Sequence, residues 1–267
     1  MTEKGLCTDS QKLVNKDDSL WHVATILVSY LLTTTVLVMF VHSLGVDQSV
    51  AGVLGTMIAG IIMSVIIYQQ IPNDLSKNNS RNEGKTSWKT YIIVVLMMAS
   101  SVFGIQVITK IIVRHSGAIA EELSENRMET FSNSPLLLIL LLAFIFAPIT
   151  EEFIFRYGVY GTMRNSFSTP VSAIASAVLF ASIHLTLEAM FYGTVLGIIF
   201  ALVYEYTGDI KVPILAHITY NVSVVLVPRN IIDTVPLLGL TFLVVISVLS
   251  IILGVARVRD ITNYQNG

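Results

Sequence analysis

Apolar residues occur along this chain in long runs separated by short polar breaks. The runs cover approximately residues 20–41, 49–69, 88–113, 134–160, 171–187, 189–206, 212–227 and 235–255. Crossing a bilayer takes about 20 apolar residues at about 1.5 Å rise each. The pattern therefore predicts an all-α fold, a polytopic transmembrane helical bundle of about eight spans. The breaks have local causes. A loop rich in Asn, Ser and Lys fills 73–87, Ser168-Thr169-Pro170 offers capping hydroxyls and a proline suited to a first helical turn, and Gly208 to Pro213 does similar work before the seventh span. At 186–189 a single Glu188 separates two short spans, so a seven-span reading with a re-entrant segment stays open.

Four regions follow: a tail (1–19), three N-terminal spans with polar loops (20–133), a core of four spans (134–227), and a last span with its tail (228–267). Between spans three and four, Ile119, Leu123 and Met128 are interleaved with Glu121, Glu122, Glu125, Arg127 and Glu129. That stretch reads equally as an interfacial amphipathic helix or as an acidic surface loop. The first run is too long for a cleaved signal and reads as a signal anchor, and the C-terminal residues carry no lipidation motif. No internal repeat and no paired broken helices of the transporter kind are visible.

Composition sharpens the class. The 267 residues are 54% hydrophobic and 13% charged, and a soluble all-α protein would need about a quarter charged residues to coat its surface. A net charge of −2 leaves no basic excess for a nucleic-acid partner. The single cysteine, Cys7, excludes an internal disulfide and a thiolate cluster. With the N-terminus inside, Lys4, Lys12, Lys16, Lys77, Arg81, Lys85, Lys89, Arg156, Arg164, Lys211, Arg257 and Arg259 fall on the inner side, against Lys110, Arg114, Arg127 and Arg229 outside. The positive-inside rule thus predicts both termini in the cytoplasm.

Ionisable groups at lipid depth cost about 2.5–3.5 kcal/mol or more and mark candidate sites. Glu151, Glu152 and Arg156 lie at the end of one apolar run, and His184, His217 and Asn221 lie inside two others. His22, His42 and His115, at span ends, read as interfacial. Residues four apart share a helix face. Glu152 is thereby set beside Arg156 as an ion pair, Phe180 beside His184, and His217 beside Asn221. Glu151, rotated by about 100° from Glu152, lacks a partner on its own helix and looks across to His184 or His217. Each imidazole taken singly reads as well as interhelical glue. Together, two His, one Asn and one Glu are the parts needed to activate water and hold an oxyanion. Glu151 lies roughly 14 Å and His217 roughly 8 Å from the inner ends of their spans, but His184 lies roughly 20 Å along its own. Span five would have to be tilted or sunk for all three to converge.

Glu151-Glu152 with Arg156, then Phe180 with His184, then His217 with Asn221, on three apolar segments in that order, resembles the CAAX proteases and bacteriocin-processing enzymes, the CPBP or type II CAAX prenyl endopeptidase-like family. The resemblance covers about residues 135–221. It implies an eight-helix intramembrane endopeptidase open to the cytoplasmic side, in which Glu151 and His184 activate water and His217 and Asn221 stabilise the oxyanion. Glu152, Arg156 and Phe180 would support them. It also leaves two versions of the chemistry, zinc on Glu151, His184 and His217 with an open position, or a metal-free, glutamate-dependent reaction, which this reading prefers. The chain departs from the family in one place, with Tyr157 between the motif arginine and Gly158.

No His-Glu-x-x-His, Gly-x-Gly-Asp or Gly-x-Ser-Gly motif of other intramembrane proteases is present. Asp209 reads as a loop and cap residue, Glu188 and Glu205 as solvated span ends, with Glu205 a candidate contact for a basic substrate group, and Tyr220 as interhelical packing. The expected partners are membrane lipid and a peptide or lipid-modified protein substrate, and the expected place is a bacterial cytoplasmic membrane. Bacteriocin or pheromone processing, self-immunity and CAAX-type processing all fit. The competing readings are a non-catalytic, peptide-binding immunity protein and a proton-coupled transporter.

Overall fold

The computed structural model describes residues 16–70, 86–116, 133–184, 186–227 and 234–266. Cys7, the proposed interfacial segment 117–131 and the basic residues Lys4, Lys12, Lys77, Arg81, Lys85, Arg127 and Arg229 lie outside the described residues, as do the side chains of Arg114, His115 and Glu188. Among the described residues the chain forms eight helices and no strand. They are α1 (Lys16–Ser43), α2 (Gln48–Gln70), α3 (Trp88–Ser116), α4 (Leu136–Arg164), α5 (Thr169–Ser182), α6 (Leu187–Thr207), α7 (Lys211–Leu226) and α8 (Leu237–Asn266).

Six of these helices are long and apolar enough to cross a membrane, and α5 and α7 are shorter apolar helices. The chain is a multi-pass membrane protein. Its outer faces carry Leu32, Val36, Met39, Leu96, Phe242 and Leu253, each more than half exposed, which suits a lipid solvent in place of water.

Helix ends differ from the sequence pattern in instructive ways. α5 stops at Ser182, so His184 stands in the turn after the helix and not within a span reaching 187. Thr186 then caps α6, accepting from the Ala189 amide at 3.2 Å. At the start of α5 the capping expectation fails in part. Ser168 occupies the N-cap with extended backbone, yet its side chain makes no cap bond, and the Thr169 hydroxyl donates instead to Glu205. α6 ends on Gly208 at φ 63°, the left-handed conformation that glycine adopts without a Cβ penalty. Asp209 then receives the Lys211 amide at 3.0 Å and hydroxyls from Thr86 and Tyr91 at 2.9 and 2.8 Å. One carboxylate thus starts α7 and ties it to the start of α3.

Two apolar clusters organise the bundle. One joins α1, α2, α4 and α5 through Ile26, Met63, Phe155 and Phe180. The other joins α3, α6, α7 and α8 through Met98, Phe200, Ala216 and Val258. α2 approaches α4 closely where Gly60 meets Thr150: a Cβ at Gly60 would lie 2.8 Å from the Thr150 hydroxyl oxygen. This contact fixes the turn of α4 just before Glu151 and Glu152.

Candidate active site

The site forms at the seam between the two clusters and is built on an irregular helix. α4 is α-helical at Leu136–Leu141, Ala147–Glu152 and Gly161–Arg164, but π-helical at Leu142–Phe146 and Phe153–Tyr160. The two glutamates therefore close a short α-helical turn between two wider ones. π-helical segments are uncommon and concentrate at functional sites.

Pro148 supplies a local reason for what happens in the first π segment. There the Ala147 amide donates to the Leu142 carbonyl, five residues back. By the same register the Ala143 carbonyl would take its bond from residue 148, a proline with no N–H. The carbonyl is met from another helix, by the Asn221 Nδ2 of α7 at 2.8 Å. Asn221 has two amide protons, so this bond holds the side chain in place and leaves a second donor.

Glu152 and Arg156 are both fully buried, with Glu152 Oε2 3.1 Å from Arg156 Nε. This is ion-pair distance without hydrogen-bond alignment, and among the described residues the Nη1 and Nη2 atoms also lack a hydrogen-bond partner. Aromatic faces take their place: the guanidinium carbon lies 4.9 Å from the Phe180 ring centre and 5.6 Å from that of Phe200. Desolvated cation–π contacts of this kind contribute about 2 kcal/mol.

Glu152 does more than compensate Arg156. Its Oε1 is 3.0 Å from His217 Nδ1, so the imidazole donates Nδ1–H to the carboxylate and presents Nε2 on its far side. Nε2 lies 3.9 Å from Glu151 Oε2. His217 is therefore held between the two glutamates, a pairing that i,i+4 spacing does not reveal. Its ring stacks on Phe200 at 5.1 Å between centres and meets Phe180 edge-on at 5.9 Å.

His184 Nδ1 is 3.1 Å from the Phe180 carbonyl, which again leaves Nε2 as the acceptor when Nδ1 carries the proton. Its ring touches the same Phe180 ring at 5.1 Å. Phe180 thus contacts both imidazoles and the arginine. Because α5 ends at Ser182, His184 reaches this group from a turn. The depth conflict of a longer fifth span does not arise.

Other polar residues depart from expectation or were missed. Glu205 is not solvated: it accepts from Tyr160 at 2.6 Å, from Thr169 at 2.8 Å, and from Arg164 Nη2 at 2.9 Å, closing the ends of α4, α5 and α6 together. Tyr220 is buried in the second cluster. Sequence reasoning passed over Phe200 and over Tyr30, a buried α1 residue within electrostatic reach of Glu151. A phenol inside an apolar span is the only sequence signal for the second, and nothing marks the first. Glu151, His184 and His217 do not form an ion-sized cage: among the described residues no three His, Cys, Asp or Glu side chains are arranged to hold a metal.

The geometry defines a class, a membrane-embedded helical bundle with a carboxylate–imidazole site at a helix seam. Comparison with known proteins finds relatives of one segment of the chain. Residues 133–223 match the model of the type II CAAX prenyl endopeptidase Rce1-like family. An 89-residue stretch is 34% identical to the "Putative membrane peptidase YdiL" of Bacillus subtilis (strain 168), covering 33% of this chain and 36% of that one. No solved structure matches the chain. The matched segment carries all three motifs, and over that segment the chain is similar to the type II CAAX prenyl endopeptidase-like proteins.

Proposed function

We propose that the protein is an intramembrane endopeptidase that hydrolyses a peptide bond in a membrane-associated peptide or protein C-terminus. The observation that carries this reading is the placement of His217, 3.0 Å from Glu152 and 3.9 Å from Glu151. A water oxygen set to one side of the line from Nε2 to Glu151 Oε2 can lie about 2.8 Å from both.

In the reaction, Glu151 takes a proton from that water, and the hydroxide attacks the scissile carbonyl carbon. The carbonyl π electrons move onto oxygen. The second Asn221 N–H and a protonated His217, backed by Glu152, stabilise the oxyanion. Collapse breaks the C–N bond as Glu151 returns its proton to the leaving amine. His184, whose ring meets the same Phe180 ring as His217, orients the attacking water.

The orientation with more basic residues inside opens the site toward the cytoplasm. Bacteriocin or pheromone precursors fit as substrates if the membrane is bacterial, and prenylated C-termini fit by family analogy. Peptides accumulating in cells that carry Glu151→Ala, compared by mass spectrometry with wild type at equal expression, test the reading. Uncleaved precursors are the expected result. Unchanged peptide profiles would overturn it, and protection against a bacteriocin that survives the substitution would favour peptide sequestration instead.

A further inference from the structure

A groove of about 470 Å³ runs between α6 and α8, away from the catalytic seam. Val195, Ile199 and Leu202 line one wall and Ile252 and Val255 the other, and the only polar lining residues are Tyr206 and Arg259. Along α6 the wall runs from Val195 to Tyr206, eleven steps or about 16 Å at about 1.5 Å per residue. One leaflet of a bilayer with an apolar core of about 30 Å is about 15 Å deep. The groove therefore has the depth of a single acyl chain's layer.

Its polar end sits where a headgroup would. Tyr206 and Arg259 lie close to the C-terminal ends of α6 and α8, and tyrosine favours the membrane interface. The Arg259 side chain is about half exposed, and its neighbour Asp260 is 3.8 Å from Nε with 57% exposure. Such a surface pair is weak and leaves the guanidinium able to take a phosphate, a geometry that suits arginine. An apolar slot of leaflet depth ending on a cation and a phenol matches an amphiphile with an acyl chain and a negative head. Basic pockets between transmembrane helices recognise such lipids.

We propose that this groove binds one anionic phospholipid of the surrounding leaflet, with an acyl chain between α6 and α8 and its phosphate on Arg259 and Tyr206. Native mass spectrometry of the full chain released from nanodiscs containing equal phosphatidylglycerol and phosphatidylcholine tests the assignment. One surface cation is worth about a five-fold preference. Wild type is expected to retain phosphatidylglycerol over phosphatidylcholine by about that factor. Arg259→Gln is expected to lose the preference while melting as wild type in lipid-free micelles, and Ala256→Phe, which narrows the slot, to retain less of both lipids. Equal retention by wild type, or a preference that persists in Arg259→Gln, overturns the proposal. Displacement of the lipid by a lipid-modified peptide would assign the groove to a substrate tail, and its burial in a dimer would assign it to a second copy; either result overturns the proposal as well.

Discussion

Replacing Glu152 by alanine removes a carboxylate that faces both Arg156 and His217. Arg156 is 0% exposed, and its Nε lies 3.1 Å from Glu152 Oε2. The substitution thus removes the paired carboxylate from a buried cation that otherwise lies against the rings of Phe180 and Phe200. Breaking a buried pair on one side costs about 3–5 kcal/mol, and loss of the 3.0 Å bond to His217 falls within that cost. At about 2–4 °C per kcal/mol for a chain of this size, Glu152→Ala should lower the melting temperature by about 6–20 °C in detergent micelles. Static light scattering on a thermal ramp reads the shift. The double variant Glu152→Ala/Arg156→Leu should recover part of it, since no charge is then left buried without its partner. A Glu152→Ala protein that melts within about 2 °C of wild type, or a double variant less stable than the single, would refute the assignment of Glu152 as the structural carboxylate.

Glu151→Gln should lower cleavage by about 10²–10⁴-fold while melting within about 2 °C of wild type, as measured by peptide mass spectrometry beside a thermal ramp. Asn221→Leu leaves the Ala143 carbonyl without its donor and should cost about 1–3 kcal/mol; adding Pro148→Ala supplies an N–H in the same helix and should restore part of that loss in a double-mutant cycle. Glu205→Leu removes the acceptor of Tyr160, Thr169 and Arg164 and should destabilise by about 1–3 kcal/mol, read by the melting temperature, with no need for cleavage to change first.

Much of the fold was legible because lipid imposes one requirement on every span. Eight apolar segments became eight helices, since backbone groups in lipid must be satisfied within the segment. The pair Glu152–Arg156 was legible for the same local reason, its i,i+4 spacing. What stayed hidden depends on contacts between helices. Nothing in 134–160 shows that Glu152 turns to His217, because its second oxygen is directed by where α7 packs. The π segments left one trace, Pro148 in an apolar run, but the residue that answers it is 73 positions downstream at Asn221. The end of α5 was misjudged because Ile183 and His184 continue the apolar run, whereas the signal that counted was Thr186, a cap for the next helix. Glu205 was read as solvated because its partners, Tyr160, Arg164 and Thr169, come from the neighbouring helices.

The two adjacent glutamates differ most in their access to the seam. Glu152 is 0% exposed and already committed to a guanidinium and an imidazole, while the Glu151 side chain retains 14% exposure and stands 3.9 Å from the same imidazole. A general base must exchange its proton with the reacting water and then with a leaving amine, so it has to be reachable by both. A carboxylate that fixes the tautomer of a histidine has the opposite requirement, because movement or solvation would loosen the ring it orients. Burial alone therefore divides the roles. Under the proposed reaction it gives the proton transfer to Glu151 and the positioning of His217 to Glu152, an order that would have to reverse if Glu151→Gln retained cleavage while the isosteric Glu152→Gln lost it without losing stability.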